Sequence, residues 1–324
     1  MEAGLIYGHM PHHLDHVAIW AHLKEIPLIA TDESVAAEAE KFYPGLKVIL
    51  WDALEAPEKL VSTYDIIYCC LPRPLFDEAF FIAQKLLRKT VRTIWLPHGN
   101  SDKGHLAPSM EGLQHDAEAL VYGQKMIDFL KQKNVYNHLL VKQVGNFRLA
   151  YYQKHKLFYD RLVEERIPAK PKLILYAPTW KDAENSSSLD TAWRTLIENL
   201  PDGYALAIKP HPNADCPDIG EHPNVFLLKD FPPIYALLNR SAAYIGDMSS
   251  IGYDFLAFDR PMIFLNPNRR DPKLDPGLFL HRCGRTVAPE EYGKIYDLID
   301  GQDKLSAVRK EVYRYTFDVK QVDI

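Results

Sequence analysis

Side chains suited to holding a phosphate ester, or to moving a proton beside one, gather in five short segments of the chain. The richest is Gly246-Asp247-Met248-Ser249-Ser250-Ile251-Gly252-Tyr253-Asp254. Ser249 or Ser250 can open a helix whose first-turn N–H groups and positive dipole end attract phosphate. Their hydroxyls add donors, and Asp254, one turn on, can reach a ribose hydroxyl. The plain structural alternative is a serine N-cap with an exposed aspartate. In Ile208-Lys209-Pro210-His211-Pro212, two prolines fix the backbone around one imidazole. Lys209 and His211 both suit a phosphate, and His211 could protonate a leaving oxygen; the alternative is a rigid turn with a surface histidine. In Tyr176-Ala177-Pro178-Thr179-Trp180-Lys181-Asp182, Thr179 can donate to phosphate and Trp180 can pack on a base or on a partner domain. The alternative there is a turn with a core tryptophan.

Two segments lie in the first half. Leu96-Pro97-His98-Gly99-Asn100-Ser101-Asp102-Lys103 places a histidine, which titrates near neutral pH, before a glycine that admits close backbone approach. His98 could accept a proton from an attacking hydroxyl; the alternative is a buried histidine in a turn. His9, His12, His13 and His16 invite a metal reading. Yet His12 and His13 are adjacent, and Asp15 is the only carboxylate nearby. An acceptor or phosphate contact through His12, His13 and His16 is the preferred expectation, with no metal. The chain contains no Asp-x-Asp, so the protein itself is expected to supply positive charge to a nucleotide diphosphate.

These segments need elements to hold them. Of the 324 residues 47% are hydrophobic and 25% charged, which supplies a core and excludes predominant disorder. The net charge of −5 argues against a general nucleic-acid binder. Four cysteines without a C-x-x-C pair suggest neither a zinc site nor a disulfide scaffold, and fit a reducing cytoplasm. No run approaches a membrane span and the N-terminus does not read as a signal peptide, so membrane contact is expected to be peripheral at most.

Short apolar runs predict strands at Gly4–Tyr7, Leu46–Leu50, Tyr64–Cys69, Thr93–Leu96, Ala119–Tyr122 and Leu139–Val144. A second set follows at Leu173–Ala177, Tyr204–Lys209, Val225–Leu228, Ala243–Gly246 and Met262–Leu265. Helical patterns fall between them, including Leu75–Lys89, Gln124–Lys133, Leu189–Asn199, Ile234–Asn239 and Ser249–Phe258, and the tail Ser306–Val322 reads as an amphipathic helix with Val308, Val312, Tyr315 and Val319 on one stripe. Lys154–Lys172 reads as a helix followed by a linker, and Asn185-Ser186-Ser187-Ser188 as an exposed loop. Alternating strand and helix implies parallel sheets with right-handed crossovers. The expected fold is therefore α/β, with two Rossmann-like domains facing a central cleft. Ligands in such sheets sit beyond the carboxyl ends of the strands, where the segments above lie.

Three of these motifs, in this order, resemble the CDP-glycerol glycerophosphotransferase family of teichoic-acid polymerases. They are Tyr176 to Asp182, Lys209 to Pro212, and Asp247 to Ser250 followed by Tyr253-Asp254-Phe255 and Arg260-Pro261-Met262-Ile263-Phe264. Gly145-Asn146-Phe147-Arg148 resembles that family's Gly-x-Pro-Arg segment, with Phe147 in place of proline. Where the family usually has His-Gly-Thr-Pro, this chain has His98-Gly99-Asn100-Ser101.

The resemblance implies a GT-B architecture: an acceptor-side domain over 1–152, a nucleotide-donor domain over 170–305, and the helix 306–322 packing back on the first. It implies metal-independent transfer of glycerol phosphate, or a related polyol phosphate, from a CDP-linked donor to a hydroxyl acceptor in cell-envelope polymer or glycan synthesis, with no cofactor. His98 and His211 fall on family histidines and are the catalytic candidates. Thr179, Trp180, Lys209, Ser249, Ser250 and Asp254 are the donor-binding candidates. The expected partners are CDP-glycerol and a hydroxyl acceptor, which a lipid could carry, with no nucleic acid. The expected location is the cytoplasm, with peripheral contact on the inner face of the cell membrane open.

A UDP-sugar-dependent GT-B glycosyltransferase, or an enzyme like the non-hydrolysing UDP-N-acetylglucosamine 2-epimerases, is the alternative, because Asp247 to Asp254 also resembles their Asp-Ser-Gly-Gly-x-x-Glu-Glu segment. A catalytically inactive binding protein on the same fold is a third reading.

Overall fold

The computed structural model describes the chain except residues 104–107, 170, 182–183, 217 and 319–324, and the side chains of 75–79 and 108–110. Asp182, Val319 and Val322 thus lie outside the described residues. Two compact units emerge. The first comprises 1–98, 107–151 and 315–324; the second comprises 99–106 and 152–314. The chain passes from the first unit to the second between His98 and Gly99.

In the first unit seven parallel strands form one sheet: β1 Glu2–Ile6, β2 Leu28–Ala30, β3 Val48–Leu50, β4 Ile66–Cys69, β5 Arg92–Trp95, β6 Glu118–Val121 and β7 Leu140–Gln143. Their order is β3-β2-β1-β4-β5-β6-β7. The middle of this sheet is apolar because helices cover both faces. On one side Ala3, Leu5, Ile29, Ile67 and Cys69 pack under Leu60, Val61 and Phe80. The strand order reverses between β1 and β4, which opens a crevice at their carboxyl ends.

In the second unit six parallel strands follow the same plan: β8 Lys172–Ala177, β9 Tyr204–Ile208, β10 Val225–Leu227, β11 Ala243–Gly246, β12 Met262–Leu265 and β13 Arg285–Val287, in the order β10-β9-β8-β11-β12-β13. Ile174, Leu206, Ile245 and Ile263 pack against Ala192, Leu196 and Ile295 of the covering helices. This sheet reverses between β8 and β11, whose ends pair in register at Gly246 and Ala177.

Several expectations shift. The three-residue strands β2 and β13 are not among those expected; β13 reads Arg-Thr-Val, which is no apolar run. The helix expected over Ser249–Phe258 is a single turn, Ile251–Phe255, followed by a 3-10 turn at Leu256–Phe258. Within Lys154–Lys172 the expected helix is Lys156–Glu164, with the linker after it leading to β8, and a further helix, Phe147–Lys154, precedes it. The tail helix runs Ser306–Phe317 and buries a different stripe, Arg309, Val312 and Thr316. Arg309 can sit at 1% exposure because Asp259 and Asp303 pair with it. The Asn185–Ser188 run is not an exposed loop; Ser186 and Ser188 are buried. Among the described residues no helix is long and apolar enough to cross a membrane.

Candidate functional site

In the second unit the functional segments leave β8, β9 and β11 side by side. β11 ends at Gly246, where only glycine fits, since a Cβ there would collide with the Tyr244 hydroxyl. The next residue, Asp247, is 1% exposed. One carboxylate oxygen accepts the Thr179 N–H at 2.8 Å. The other accepts the Ser188 N–H at 2.8 Å and its hydroxyl at 2.7 Å. Burial raises the Asp247 pKa, and these three bonds oppose the shift. The turn after β11, the turn after β8 and the start of the helix Leu189–Glu198 are thereby knotted through one carboxylate.

Ser249 is 9% exposed, and Ser250 caps the turn Ile251–Phe255 without a side-chain cap bond. Thr179 is 4% exposed, and its hydroxyl accepts from the Lys103 ammonium. Lys209 is also buried, with its ammonium 3.4 Å from the Lys229 carbonyl. His211 is partly exposed; its Nδ1 accepts the Asn213 N–H at 3.1 Å and its ring stacks on Trp180 at 5.9 Å. Trp180 is therefore a half-open lid beside an imidazole, not a core tryptophan. Asp254 is not an exposed aspartate: it is 4% exposed, and its Oδ1 accepts the Tyr235 hydroxyl at 2.8 Å.

The segment after His98 packs into the same unit. Gly99 has φ +123°, and a Cβ there would sit 2.8 Å from the Ser250 hydroxyl oxygen. Asp102 is buried and accepts the Tyr253 hydroxyl at 2.5 Å and the Leu280 N–H at 3.0 Å. Gly99, Asp102 and Lys103 thus fasten onto Ser250, Tyr253 and Thr179. Sequence reasoning missed Asp247, Asp102 and Lys103 as organisers. All three lie within quoted motifs, and position directly after a strand was the available signal for Asp247.

In the first unit the histidines group around the switch point. His12, His13 and His98 have ring centroids 4.3 to 5.9 Å apart. His13 is 3% exposed. His98 keeps more than a third of its surface open, yet enough protein surrounds its ring to lower its pKa. His16 stands apart in role. It is buried, and its Nδ1 lies 2.8 Å from the Tyr122 oxygen. The single Tyr122 hydroxyl proton goes to the Pro97 carbonyl at 3.0 Å, so His16 Nδ1 is the donor to Tyr122. Desolvation, then the Arg148 charge, hold the His16 pKa well below its ordinary value. His16 therefore props the residue before His98 as a neutral strut. Arg148 is 3% exposed, and its guanidinium clasps the Asp15 carboxylate and the Asp15 carbonyl.

Residues 150–280 match the sequence model of the CDP-Glycerol:Poly(glycerophosphate) glycerophosphotransferase family. A teichoic acid glycerol-phosphate primase of Bacillus spizizenii is 30% identical over 178 residues, which is 52% of this chain and 44% of the relative; the chain thus spans less than half of that protein's length. Among solved structures, a variant of the wall teichoic acid polymerase TagF superposes with a TM-score of 0.71 at 16% identity, covering 98% of this chain and 84% of that one. MnaA of S. aureus with UDP superposes at 0.62 and 14% identity, covering 98% and 92%. Both show the fold, a pair of parallel-sheet α/β domains of GT-B type. The resemblance expected from the motifs is borne out over residues 150–280, which match that family's sequence model and hold the segments that follow β8, β9 and β11.

Proposed function

We propose that this protein transfers glycerol phosphate from CDP-glycerol to a hydroxyl acceptor during synthesis of a cell-envelope polymer, releasing CMP. The observation that carries this reading is the coincidence of the family match with the knot at the switch point of the second unit, where Thr179, Ser249, Ser250, Lys209 and His211 follow three neighbouring strands. In phosphoryl transfer an enzyme mainly positions reactants and neutralises charge. Ser250 and the N–H groups after β11 are suited to the diphosphate, Lys209 supplies positive charge, and His211 can donate a proton to the departing CMP. Trp180 stacked on His211 keeps that imidazole oriented. His98, with its lowered pKa, is neutral at pH 7 and can take the proton of the acceptor hydroxyl. The UDP-sugar alternative has likeness of fold in its favour, whereas both sequence matches favour glycerol phosphate.

Peripheral membrane contact is part of the proposal, and a lipid-linked acceptor would then be reached from the bilayer surface. The helix Pro74–Leu87 exposes Phe81, Ile82, Leu86 and Leu87, with Lys85 and Arg88 beside them. An apolar face with basic neighbours suits an anionic bilayer surface. Flotation with vesicles containing anionic lipid is expected to carry the parent protein and not a Phe81→Ser/Ile82→Ser variant.

Incubation of the purified protein with CDP-glycerol and an acceptor tests the activity through CMP release. A thermal-shift series tests the donor. CDP-glycerol is expected to raise the melting point by mass action and UDP-N-acetylglucosamine is not; the reverse order rejects the donor.

A further inference from the structure

We propose that His13, Cys70 and His98 form a binding site for a zinc-class divalent cation at the switch point of the first sheet, and that the ion occupies the imidazole of His98. Among the described residues these three side chains bring one ligand atom each to within 4.8 Å of one another. The topology explains the meeting. His13 follows β1, Cys70 follows β4 and His98 follows β5, and these three strands are neighbours in a parallel sheet, so their carboxyl ends share one edge. The sequence hid the set, because Cys70 lies far along the chain from the histidine cluster and contributes its sulfur only once β4 is placed beside β1.

The donor set is two imidazoles and one thiol. This combination matches zinc, which takes nitrogen and sulfur ligands in tetrahedral sites, better than magnesium or calcium, which prefer oxygen. Tetrahedral zinc holds such donors about 3.4 Å apart. Closing from 4.8 Å asks each side chain to move by less than about 1 Å. His13 and Cys70 are buried and hold the inner side, while His98 is solvent-accessible and marks the entry. On binding, the Cys70 thiol proton leaves to solvent, the sulfur bonds the ion as thiolate, and each histidine donates a ring lone pair. Three protein ligands leave a fourth position for water or another donor. The His98 lone pair is then no longer free to accept a proton, so the ion would inhibit transfer; this consequence rests on the proposed role of His98.

Cobalt(II) titration of the full chain under reducing, anaerobic conditions tests the site with no substrate present. Saturation at one equivalent is expected, with tetrahedral d–d bands, a thiolate-to-cobalt charge-transfer band, and loss of both on adding zinc. Cys70→Ser should abolish the charge-transfer band while leaving the far-ultraviolet circular dichroism of the parent. His13→Asn should weaken cobalt binding by about tenfold or more. If Cys70→Ser does not fold, His98→Asn, at a solvent-accessible position, carries the same test through loss of the d–d bands. Absence of the charge-transfer band in the parent, its survival in Cys70→Ser, or unchanged affinity in His13→Asn overturns the site. Because the spectra need no turnover, failure of the metal site and failure of the proposed transfer reaction are separate results.

Discussion

The Asp247 carboxylate accepts the backbone N–H of Thr179 at 2.8 Å, and through this bond the exit of β11 fixes the exit of β8 across the reversal of the second sheet. With Ser188 on the other oxygen, three donors converge on a buried anion. Asp247→Asn keeps the shape but turns an amide N–H₂ toward one of those donor groups. Hydrogen bonds to charged groups are worth about 1.5–3 kcal/mol each, so the variant should lose about 2–3 kcal/mol of stability. Urea unfolding should show the midpoint falling with an unchanged m-value. Donor KM should rise as well, since the Thr179 and Ser249 turns lose their common anchor. Parent-like stability would show that the knot does not hold these turns.

His98→Ala should lower kcat by about 10²–10⁴-fold while leaving donor KM near the parent value, the pattern of a lost general base. The pH profile gives a second reading. Burial lowers the His98 pKa from its ordinary value of 6.5, so the neutral imidazole is the majority form at pH 6.5 and above. The acid limb of kcat/KM should therefore lie below pH 6.5. Unchanged turnover in the variant, or a limb above 6.5 in the parent, removes His98 from the base role.

The first unit offers a buried ion pair for the same kind of test. Arg148 and Asp15 are each nearly sealed from solvent and bonded to one another. Removing one partner from such a pair costs about 3–5 kcal/mol, because the other charge stays behind. Arg148→Leu should show that loss. Arg148→Leu/Asp15→Asn should recover part of it, a coupling that a double-mutant cycle measures directly. Additive losses would show that Asp15 does not depend on Arg148.

The strand-rich frame was legible because buried parallel strands write themselves as short continuous apolar runs, and the residues that follow them are the ones a doubly wound sheet offers to a ligand. Lys209, Ser249 and Thr179 were found in that way. Charge burial was harder to see. Arg309 sits at a core position of the tail helix, which hydrophobic periodicity read instead from Val308, because pairing with Asp259 and Asp303 cancels the cost of burying a guanidinium. Ser188 looked like part of a polar loop and is buried by the demand of Asp247 for donors. Cys70 belongs to no C-x-x-C pair and stands beside His13 and His98 through strand order alone. In each case at least one decisive partner is distant in sequence, as Asp259 is from Arg309 and Asp247 from Ser188, and local pattern carries no record of it.

His281 supplies a pH dependence of stability that is independent of any substrate. Its ring stacks on Phe264 at 4.6 Å, its Nδ1 meets the Thr286 hydroxyl at 3.2 Å, and its buried Nε2 has no hydrogen-bond partner among the described residues. Desolvation first, then the Arg270 charge, push its pKa down to about 3. In the unfolded chain the same imidazole titrates near 6.5. A depressed folded pKa means that the unfolded state gains protons first as the solution is acidified. The contribution is therefore fully present above pH 6.5 and is lost progressively as pH falls toward 3. At about 1.4 kcal/mol per pH unit, the loss from this residue reaches about 2 kcal/mol at pH 5. His16 and His98 have lowered pKa values as well and act in the same direction, so the parent should be acid-labile from pH 6.5 downward. His281→Phe keeps the stacked ring and removes the titration. Between pH 7 and 5 its unfolding free energy should fall by about 2 kcal/mol less than that of the parent. Equal slopes for the two proteins in urea melts at pH 7, 6 and 5 would mean that His281 is already protonated, or hydrated, in the folded state.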